Sequence, residues 1–171
     1  RLATAYLAVA TQAERQKLLA DYTVENGVPV VPALAQRLES TPEVVEKMGT
    51  VIAEPKYDGL RIQIHFQSGK KTKAYTRNLD DISHMFPELE QAGKILQVES
   101  CILDGEAIGY DPETDELLPF QKTVTRRRKH NIAAQAESVP IRFYLFDLLE
   151  LNKQSLLDQP LKKRNKTLDH L

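Results

Sequence analysis

The stretch that decides the fold is Glu54-Pro55-Lys56-Tyr57-Asp58-Gly59-Leu60-Arg61-Ile62-Gln63-Ile64-His65-Phe66. From residue 61 onward, polar and apolar residues alternate, as they do in a strand that is buried on one face. The apolar face of this strand would carry Ile62, Ile64 and Phe66, and the other face Arg61, Gln63 and His65. The Asp-Gly pair before the strand indicates a tight turn, so Lys56 is expected beside a bend and close to Arg61.

Lys56 is a candidate nucleophile because its amine can attack an electrophile once it loses its proton. At a reference pKa of about 10.4, roughly one lysine in two thousand is neutral at pH 7. A neighbouring cation, a metal ion or partial desolvation would lower that pKa, and Arg61 is the nearest cation that could also hold a phosphate. The alternative interpretation is an ordinary surface lysine beside a hairpin turn.

Length and composition limit the classes of function. The chain has 171 residues, 42% of them hydrophobic and 27% charged, which suits one packed domain or one domain with part of another. A net charge of −1 means that any nucleic-acid site must be a local patch. The single cysteine, Cys101, excludes an internal disulfide. No secretory signal and no apolar run of membrane-spanning length is present, so we expect no membrane association and a cytoplasmic, nucleoid or nuclear location.

The N-terminal third predicts helices joined by an extended connector. Residues 1–27 are predicted to be helical, with a capping box at residues 11–14, and residues 28–35 to be extended. A second helix is expected to begin at Ser40-Thr41-Pro42 and to end at Gly49. Residues 51–53 predict a short buried strand that leads into the lysine turn.

The middle of the chain predicts a hairpin and a helix. Residues 67–70 form the expected turn, and residues 72–76 the return strand. A short helix is predicted over residues 87–92, ended by Gly93. The run Arg126-Arg127-Arg128-Lys129 favours a basic helix, either a solvated face or a surface that contacts phosphate.

Two apolar strands follow, and each carries candidate functional residues. Residues 101–110 place Asp104 and Glu106 on one face of a strand, where two carboxylates are costly to bury without partners. The alternative is an exposed edge strand with solvated acids. Residues 141–151 form the most apolar strand, and residues 158–171 begin a last helix whose Lys162-Lys163-Arg164 run indicates a solvated face. The four histidines lack metal-ligand spacing.

Several of these segments together resemble a known family. Lys56-x-Asp58-Gly59-x-Arg61 is similar to the nucleophile motif of the covalent nucleotidyltransferases. The chain also resembles the ATP-dependent DNA ligases of archaeal and eukaryotic type in the order of its other motifs, which are Thr76-Arg77-Asn78, Asp104-Gly105-Glu106, Pro119-Phe120-Gln121 and Phe146-Asp147-Leu148. Thr76 stands where the family usually has serine and keeps the hydroxyl.

The resemblance implies a fold and a domain organisation. The expected fold is α+β, a mostly antiparallel two-sheet nucleotidyltransferase fold with flanking helices, which would be incomplete in this chain. Residues 1–27 would be the helical tail of an upstream DNA-binding domain, and residues 28–171 the N-terminal part of the adenylation domain. Because two further family motifs and an oligonucleotide-binding domain are missing after residue 148, and because the chain opens at Arg1, we expect a piece of a longer protein with feeble activity of its own.

The resemblance also implies roles for particular residues. Lys56 would carry AMP, Glu54 would contact the adenine edge, and Phe146 would stack on the base. Glu106 would hold the ribose. The sugar and phosphates would face Arg61 and Arg77.

The implied substrates are ATP with Mg²⁺, whose ligands in the protein the sequence does not identify, and nicked double-stranded DNA. The full-length enzyme would be a monomer that seals nicks in repair, replication or recombination. Two alternatives stay open. One is an RNA ligase or a capping-type nucleotidyltransferase, and the other is a noncatalytic nucleic-acid-binding module on the same fold.

Overall fold

A computed structural model describes residues 7–8, 11–20, 23–127 and 139–171, although the side chains of residues 18–20 and 127 lie outside the description. The α-helices are α1 (Gln12–Ala20), α2 (Thr41–Met48), α3 (Glu88–Ile95), α4 (Phe120–Val124) and α5 (Leu161–Leu168). The strands are β1 (Leu60–Gln67), β2 (Lys73–Thr76), β3 (Ser100–Gly109), β4 (Ile141–Leu151) and β5 (Gln154–Ser155). None of the described helices is long and apolar enough to span a membrane.

The five strands form one antiparallel sheet in the order β2-β1-β3-β4-β5. β1 and β3 lie in the middle, and Arg61 of β1 faces Glu106 of β3 across the pair. Because β3 has a neighbour on both sides, the exposed-edge alternative for its two carboxylates is excluded. The register of β3 against β4 shifts on either side of Leu103 and Asp104.

One face of the sheet carries the hydrophobic core. Ile62, Ile64 and Phe66 are buried there, as their alternation predicts, and Leu103 and Leu148 join them from the neighbouring strands. The segment between β2 and α3 covers this face with Ile82, Met85, Phe86 and Leu89.

The other face of the sheet is covered in part by residues 24–30, a segment we call the N-terminal strap. The Gly27 N–H donates to His65 Nδ1 at 2.9 Å, and the Val30 N–H donates to Gln63 Oε1 at 2.7 Å. Asn26 Nδ2 donates to the carbonyl oxygens of Phe66 and Cys101. The strap therefore supplies hydrogen-bond partners to polar groups that the sheet buries.

The predicted α+β, antiparallel fold is confirmed, and its described strands form a single sheet. The hairpin, the return strand and the strands over residues 101–110 and 141–151 are found within a residue or so of their predicted ends. Ser40 caps α2 by accepting the Glu43 N–H, and Gly49 ends that helix at φ 69°. The second sheet stays a prediction.

Two predictions for the N-terminal third are wrong in part. Among the described residues, α1 covers Gln12–Ala20 and residues 23–27 are not helical. Asn26 and Gly27 form a turn between Glu25 and Val28, which are joined by a bridge. The predicted strand over residues 51–53 is absent, and Val51 and Ile52 are 39% and 49% exposed. None of the described strand pairs or isolated bridges includes these residues.

Gly93 does not end its helix, because α3 continues to Ile95. A Cβ at this position would lie 3.0 Å from the ring of Phe66 and 3.0 Å from the Thr72 hydroxyl. The glycine therefore allows close packing of the helix on the hairpin.

Arg126, the first residue of the basic run, is placed differently from either predicted alternative. Arg126 is buried and pairs with Glu88 at 2.6 Å, with its guanidinium carbon 5.5 Å from the centre of the Phe86 ring. It is therefore a structural arginine rather than a solvated or phosphate-contacting one. The side chain of Arg127, residues 128–129 and the predicted loop at 133–138 lie outside the described residues.

Candidate functional site

An open cavity of about 940 Å³ lies at the end of the sheet where β1 begins. The turn before β1, the loop after β2, strands β1, β3 and β4, and helix α5 all contribute to its walls. All six residues that the sequence nominates line this one cavity: Glu54, Lys56, Arg61, Arg77, Glu106 and Phe146. Residues separated by as much as 92 positions in the chain are thus brought together by the antiparallel sheet.

Lys56 is exposed on the turn before β1, and the residues on its C-terminal side anchor that turn. The ring of Tyr57 stacks on Tyr144 of β4 with centroids 4.3 Å apart. The Gly59 N–H donates to Glu106 Oε1 at 3.1 Å. A Cβ on Gly59 would lie 2.5 Å from the Ala107 carbonyl oxygen, so only glycine fits this approach. Lys56 therefore projects from a fixed turn.

Glu106 lies half-buried in the cavity wall, next to the lysine turn. Burial raises the pKa of Glu106 above its ordinary value, although the Gly59 N–H and the charges of Arg61 and Lys56 oppose that rise. The carboxylate keeps hydrogen-bonding capacity for a ligand, since one oxygen accepts the Gly59 N–H.

Arg61 forms an ion pair with Asp104 through two hydrogen bonds, of 3.1 Å from Nε and 2.7 Å from Nη2. These bonds raise the pKa of Arg61, while burial opposes the rise. The guanidinium carbon also lies 5.3 Å from the centre of the Phe146 ring. The sequence predicts Arg61 as the cation beside Lys56, whereas the structure pairs its charge with a carboxylate that is 8% exposed.

Phe143 and Phe146 have different surroundings on β4, and Phe146 lies at the register shift of β3 against β4. Phe143 packs edge-on against Phe86 in the core, with ring centroids 5.5 Å apart. Phe146 lines the cavity instead. Of the two, only Phe146 can present its ring to a ligand in the cavity.

The loop after β2 presents Arg77 at the cavity. The Thr76 hydroxyl accepts the N–H groups of Asn78 and Asp80 at 3.2 Å each. Leu79 adopts a left-handed backbone with φ 68° to close the loop. The hydroxyl that Thr76 shares with serine thus shapes the loop, and Arg77 remains exposed within the cavity wall.

Similarity to a known family covers most of the chain. A family model described as the ATP dependent DNA ligase domain matches residues 32–171, which is most of the chain. The chain belongs to this family.

Relatives of the ligase domain include archaeal proteins of considerable similarity. DNA ligase 2 of Thermofilum pendens is 39% identical over 154 residues, and DNA ligase of Pyrobaculum calidifontis is 43% identical over 155 residues. Each alignment covers 90% of this chain and 26% of the relative. The chain thus spans about a quarter of the length of these curated relatives.

Solved structures share the fold of this ligase domain. The ligase domain of LigD from M. tuberculosis superposes with a TM-score of 0.54 at 24% identity, over 68% of this chain and 35% of that one. A mycobacterial DNA ligase D complexed with ATP and MES gives a TM-score of 0.52 over the same shares. At this identity the likeness establishes the fold alone.

Sequence reasoning missed the contribution of helix α5. Lys162 and Lys163 are exposed as predicted, but Arg164 forms two hydrogen bonds with Asp147, of 2.7 and 2.9 Å. This pair holds α5 against β4, where Asn165 and Leu168 line the cavity. Asn165 Nδ2 donates to Glu54 Oε1 at 3.2 Å. The sequence does contain a signal for this pair. Asp147 directly follows Phe146, and Arg164 lies on the same side of the last helix as Leu161 and Leu168.

The site contains no evident protein cage for a metal ion. Within the described residues, no group of three or more His, Cys, Asp and Glu side chains is placed to bind one. His65 is buried under the strap, and His84 and His170 are exposed.

Proposed function

We propose that this chain is part of an ATP-dependent DNA ligase that seals nicks through a lysyl-AMP intermediate. The observation that carries the proposal is the convergence of a lysine, two arginines, two glutamates and a phenylalanine on one cavity. The names of the relatives, which are DNA ligases, support the same class of reaction.

The residues fit a purine nucleotide. Phe146 offers a flat apolar ring, which can cover a base whatever its edge bonds to. Glu54, together with the nearby backbone, would contact the adenine edge, and Glu106 the ribose hydroxyls. Arg77 is exposed and free to reach the phosphates, while Arg61 would reach the sugar-phosphate side by sharing its guanidinium with Asp104.

The proposed first step uses the neutral amine of Lys56. Its Nζ attacks the α-phosphorus of ATP, so that an N–P bond forms as the bond to the pyrophosphate oxygen breaks. AMP then passes to the 5′-phosphate of a nick, and attack by the 3′-hydroxyl joins the strands and releases AMP. The fixed turn that carries Lys56 would contribute mainly by positioning the amine.

Mg²⁺ would assist by neutralising charge on the leaving pyrophosphate. Magnesium is commonly held by substrate phosphates, waters and one or two carboxylates rather than by a full protein cage. The described cavity is lined by four carboxylates, which are Glu54, Asp80, Glu106 and Asp169. One or two of them could contribute ligands to an ion held otherwise by the phosphates of ATP and by water.

The organisation of the protein is proposed on the same basis. We propose an upstream helical segment followed by an adenylation domain, as the sequence predicts. The strap, residues 24–30, bonds to the sheet of the adenylation domain. We therefore propose a boundary before residue 24 instead of after residue 27. Nicked duplex DNA is the proposed second substrate. We further propose that the full-length enzyme acts as a monomer in the cytoplasm, nucleoid or nucleus.

The test is incubation of the full-length natural protein with labelled ATP, GTP or NAD and Mg²⁺. A covalent adduct from ATP alone supports the proposal. An adduct from GTP would indicate a capping-type enzyme, and ATP adduct with sealing of nicked RNA only would indicate an RNA ligase. No adduct from any nucleotide would overturn the proposal and favour a noncatalytic binding module.

A further inference from the structure

The ring of Tyr144 on β4 stacks on the side chain next to Lys56, although Tyr144 itself lies outside the cavity. The centroids of the Tyr57 and Tyr144 rings are 4.3 Å apart, with 28° between the ring planes, and both side chains are half-buried. Tyr57 lines the cavity, whereas Tyr144 is not among the described residues that line it. Tyr144 can therefore affect a ligand in the cavity only through its neighbours.

The segment that carries Lys56 is not held by backbone hydrogen bonds of its own. Residues 51–58 lie in neither helix nor strand, and within the described part of the chain none of their backbone groups bonds to another backbone group. Contacts that involve side chains must therefore fix this segment. The Cα atoms of Lys56 and Tyr57 are one peptide unit, about 3.8 Å, apart. The Tyr57 ring is thus the described anchor nearest to Lys56 along the chain.

Two points of the turn are attached to neighbouring strands. Tyr57 stacks on Tyr144 of β4, and the Gly59 N–H donates to Glu106 of β3 at 3.1 Å. Glu106 and Tyr144 face each other in the register of β3 and β4, so the two attachment points lie side by side on the sheet. A turn held at Gly59 alone could pivot about that hydrogen bond, and the stack removes this freedom.

We propose that Tyr144 is a positioning residue for the formation of lysyl-AMP, because its ring holds Tyr57 and thereby directs Lys56 at the α-phosphorus; this inference rests on the proposed function. In that step the neutral Nζ bonds to the α-phosphorus while the bond from phosphorus to the pyrophosphate oxygen breaks. Pyrophosphate leaves with the electron pair, and the amine gives up a proton to water. Misalignment of the reacting atoms can lower a rate about a hundredfold. Since Tyr144 does not line the cavity, its loss slows the chemical step and leaves ATP binding unchanged.

The test uses the full-length natural protein with Tyr144→Leu, which removes the aromatic ring and keeps an apolar side chain. Single-turnover formation of the AMP adduct at saturating ATP and Mg²⁺ gives the rate constant of the chemical step. Equilibrium titration with an ATP analogue that has a methylene bridge between its α- and β-phosphates gives the affinity without reaction. We expect the rate constant to fall about ten- to a hundredfold, and the affinity for the analogue to stay that of the parent.

A double-mutant cycle identifies the route of the effect. Tyr57→Leu removes the same stack from the side of the turn, so it should slow the saturated reaction by a similar factor. In the double variant Tyr57→Leu/Tyr144→Leu the two factors should not multiply, because each single variant already abolishes the contact. Tyr57→Leu also carries the test if Tyr144→Leu does not fold.

Two controls separate positioning from stability, with every variant measured at a temperature where it is folded. Tyr144→Phe keeps the ring and should react at the parent's rate. Phe143→Leu removes an aromatic ring from the same strand at a place where it packs on Phe86 in the core. This variant should lower the urea midpoint and leave the rate constant unchanged.

The inference is overturned if Tyr144→Leu reacts at the parent's rate, or if it weakens analogue binding without slowing the saturated reaction. It is also overturned if Tyr144→Phe is as slow as Tyr144→Leu, or if the two factors multiply in the double variant. Absence of any ATP adduct on the unmodified protein would instead defeat the proposed function itself. An adduct that forms equally fast in the parent and in Tyr144→Leu defeats only the role of Tyr144.

Discussion

Arg61 and His65 lie on the same face of β1, only four residues apart, yet their surroundings are opposite. His65 is 1% exposed and lies under the N-terminal strap, as does Gln63 between them. Arg61 lies in an open cavity with 36% of its side chain exposed. We call these two regions the sealed half and the open half of the sheet face.

The difference lies in what supplies the hydrogen-bond partners. In the sealed half, Gln63 exchanges two hydrogen bonds with the backbone of Val30, and the His65 ring bonds with Gly27 and Gln63. In the open half, Glu106 and Arg77 keep capacity that a ligand can use. Polar residues on the same face of one strand can thus be structural or functional. They are structural where the protein supplies their hydrogen-bond partners, and available for function where it does not.

The largest effect is expected from truncating the centre of the sealed half. Gln63→Ala would leave the N–H and carbonyl groups of Val30 and the Nε2 atom of His65 without their Gln63 partners. We expect this loss to lower the free energy of unfolding by about 2–4 kcal/mol. Lys56→Ala, in the open half, should change it by less than about 0.5 kcal/mol. Urea denaturation of the two variants measures both values. Equal destabilisation by the two would contradict the distinction between the halves.

A pH-dependent loss of stability should also originate in the sealed half. Burial lowers the pKa of His65 from 6.5 to about 4. Between these values the unfolded chain binds a proton that the folded chain does not, so stability must fall as the pH falls from about 6.5 to about 4, by at most about 3 kcal/mol. His65→Gln should flatten this dependence. Denaturation midpoints are measured between pH 7 and pH 4.5 for both proteins. If the midpoint changes with pH equally in both, the loss of stability originates in groups other than His65.

A smaller effect is expected in the open half. Phe146→Ala should weaken ATP binding about tenfold, because base stacking on an aromatic ring contributes about 1–3 kcal/mol. Phe143→Ala, on the core face of the same strand, should lower stability while leaving the affinity of the folded protein unchanged. Calorimetric titration at a temperature where both variants are folded measures this. If Phe146→Ala binds ATP as tightly as the parent, Phe146 does not stack on the base.

The sequence was sufficient for the local features of the fold and for the location of the site. The alternation of β1 and the capping serine at residue 40 depend only on neighbours in the chain. The motifs identify the six nominated residues, and the pairing of β1 with β2 and β3, and of β3 with β4, brings them to one cavity.

Features that depend on remote partners were not predictable in this way. Arg126 is paired with Glu88, and Asn165 bonds with Glu54 across 111 positions of the chain. The residues next to Arg126 and Asn165 in the chain do not indicate these partners. The local pattern therefore predicts Arg126 as part of a basic helix and does not single out Asn165. Gly93 was taken as a helix stop for the same reason, because the Phe66 ring beside it comes from another element.

The covalent role of Lys56 is the step on which the proposed ligase chemistry depends most directly. Intact-mass analysis of the full-length natural protein, incubated with ATP and Mg²⁺ and followed by peptide mapping, measures it. We expect one AMP on the peptide that contains Lys56 and none on Lys56→Arg, since a guanidinium does not lose its proton near neutral pH. An AMP adduct on Lys56→Arg, or on a different peptide of the unmodified protein, would contradict the assignment.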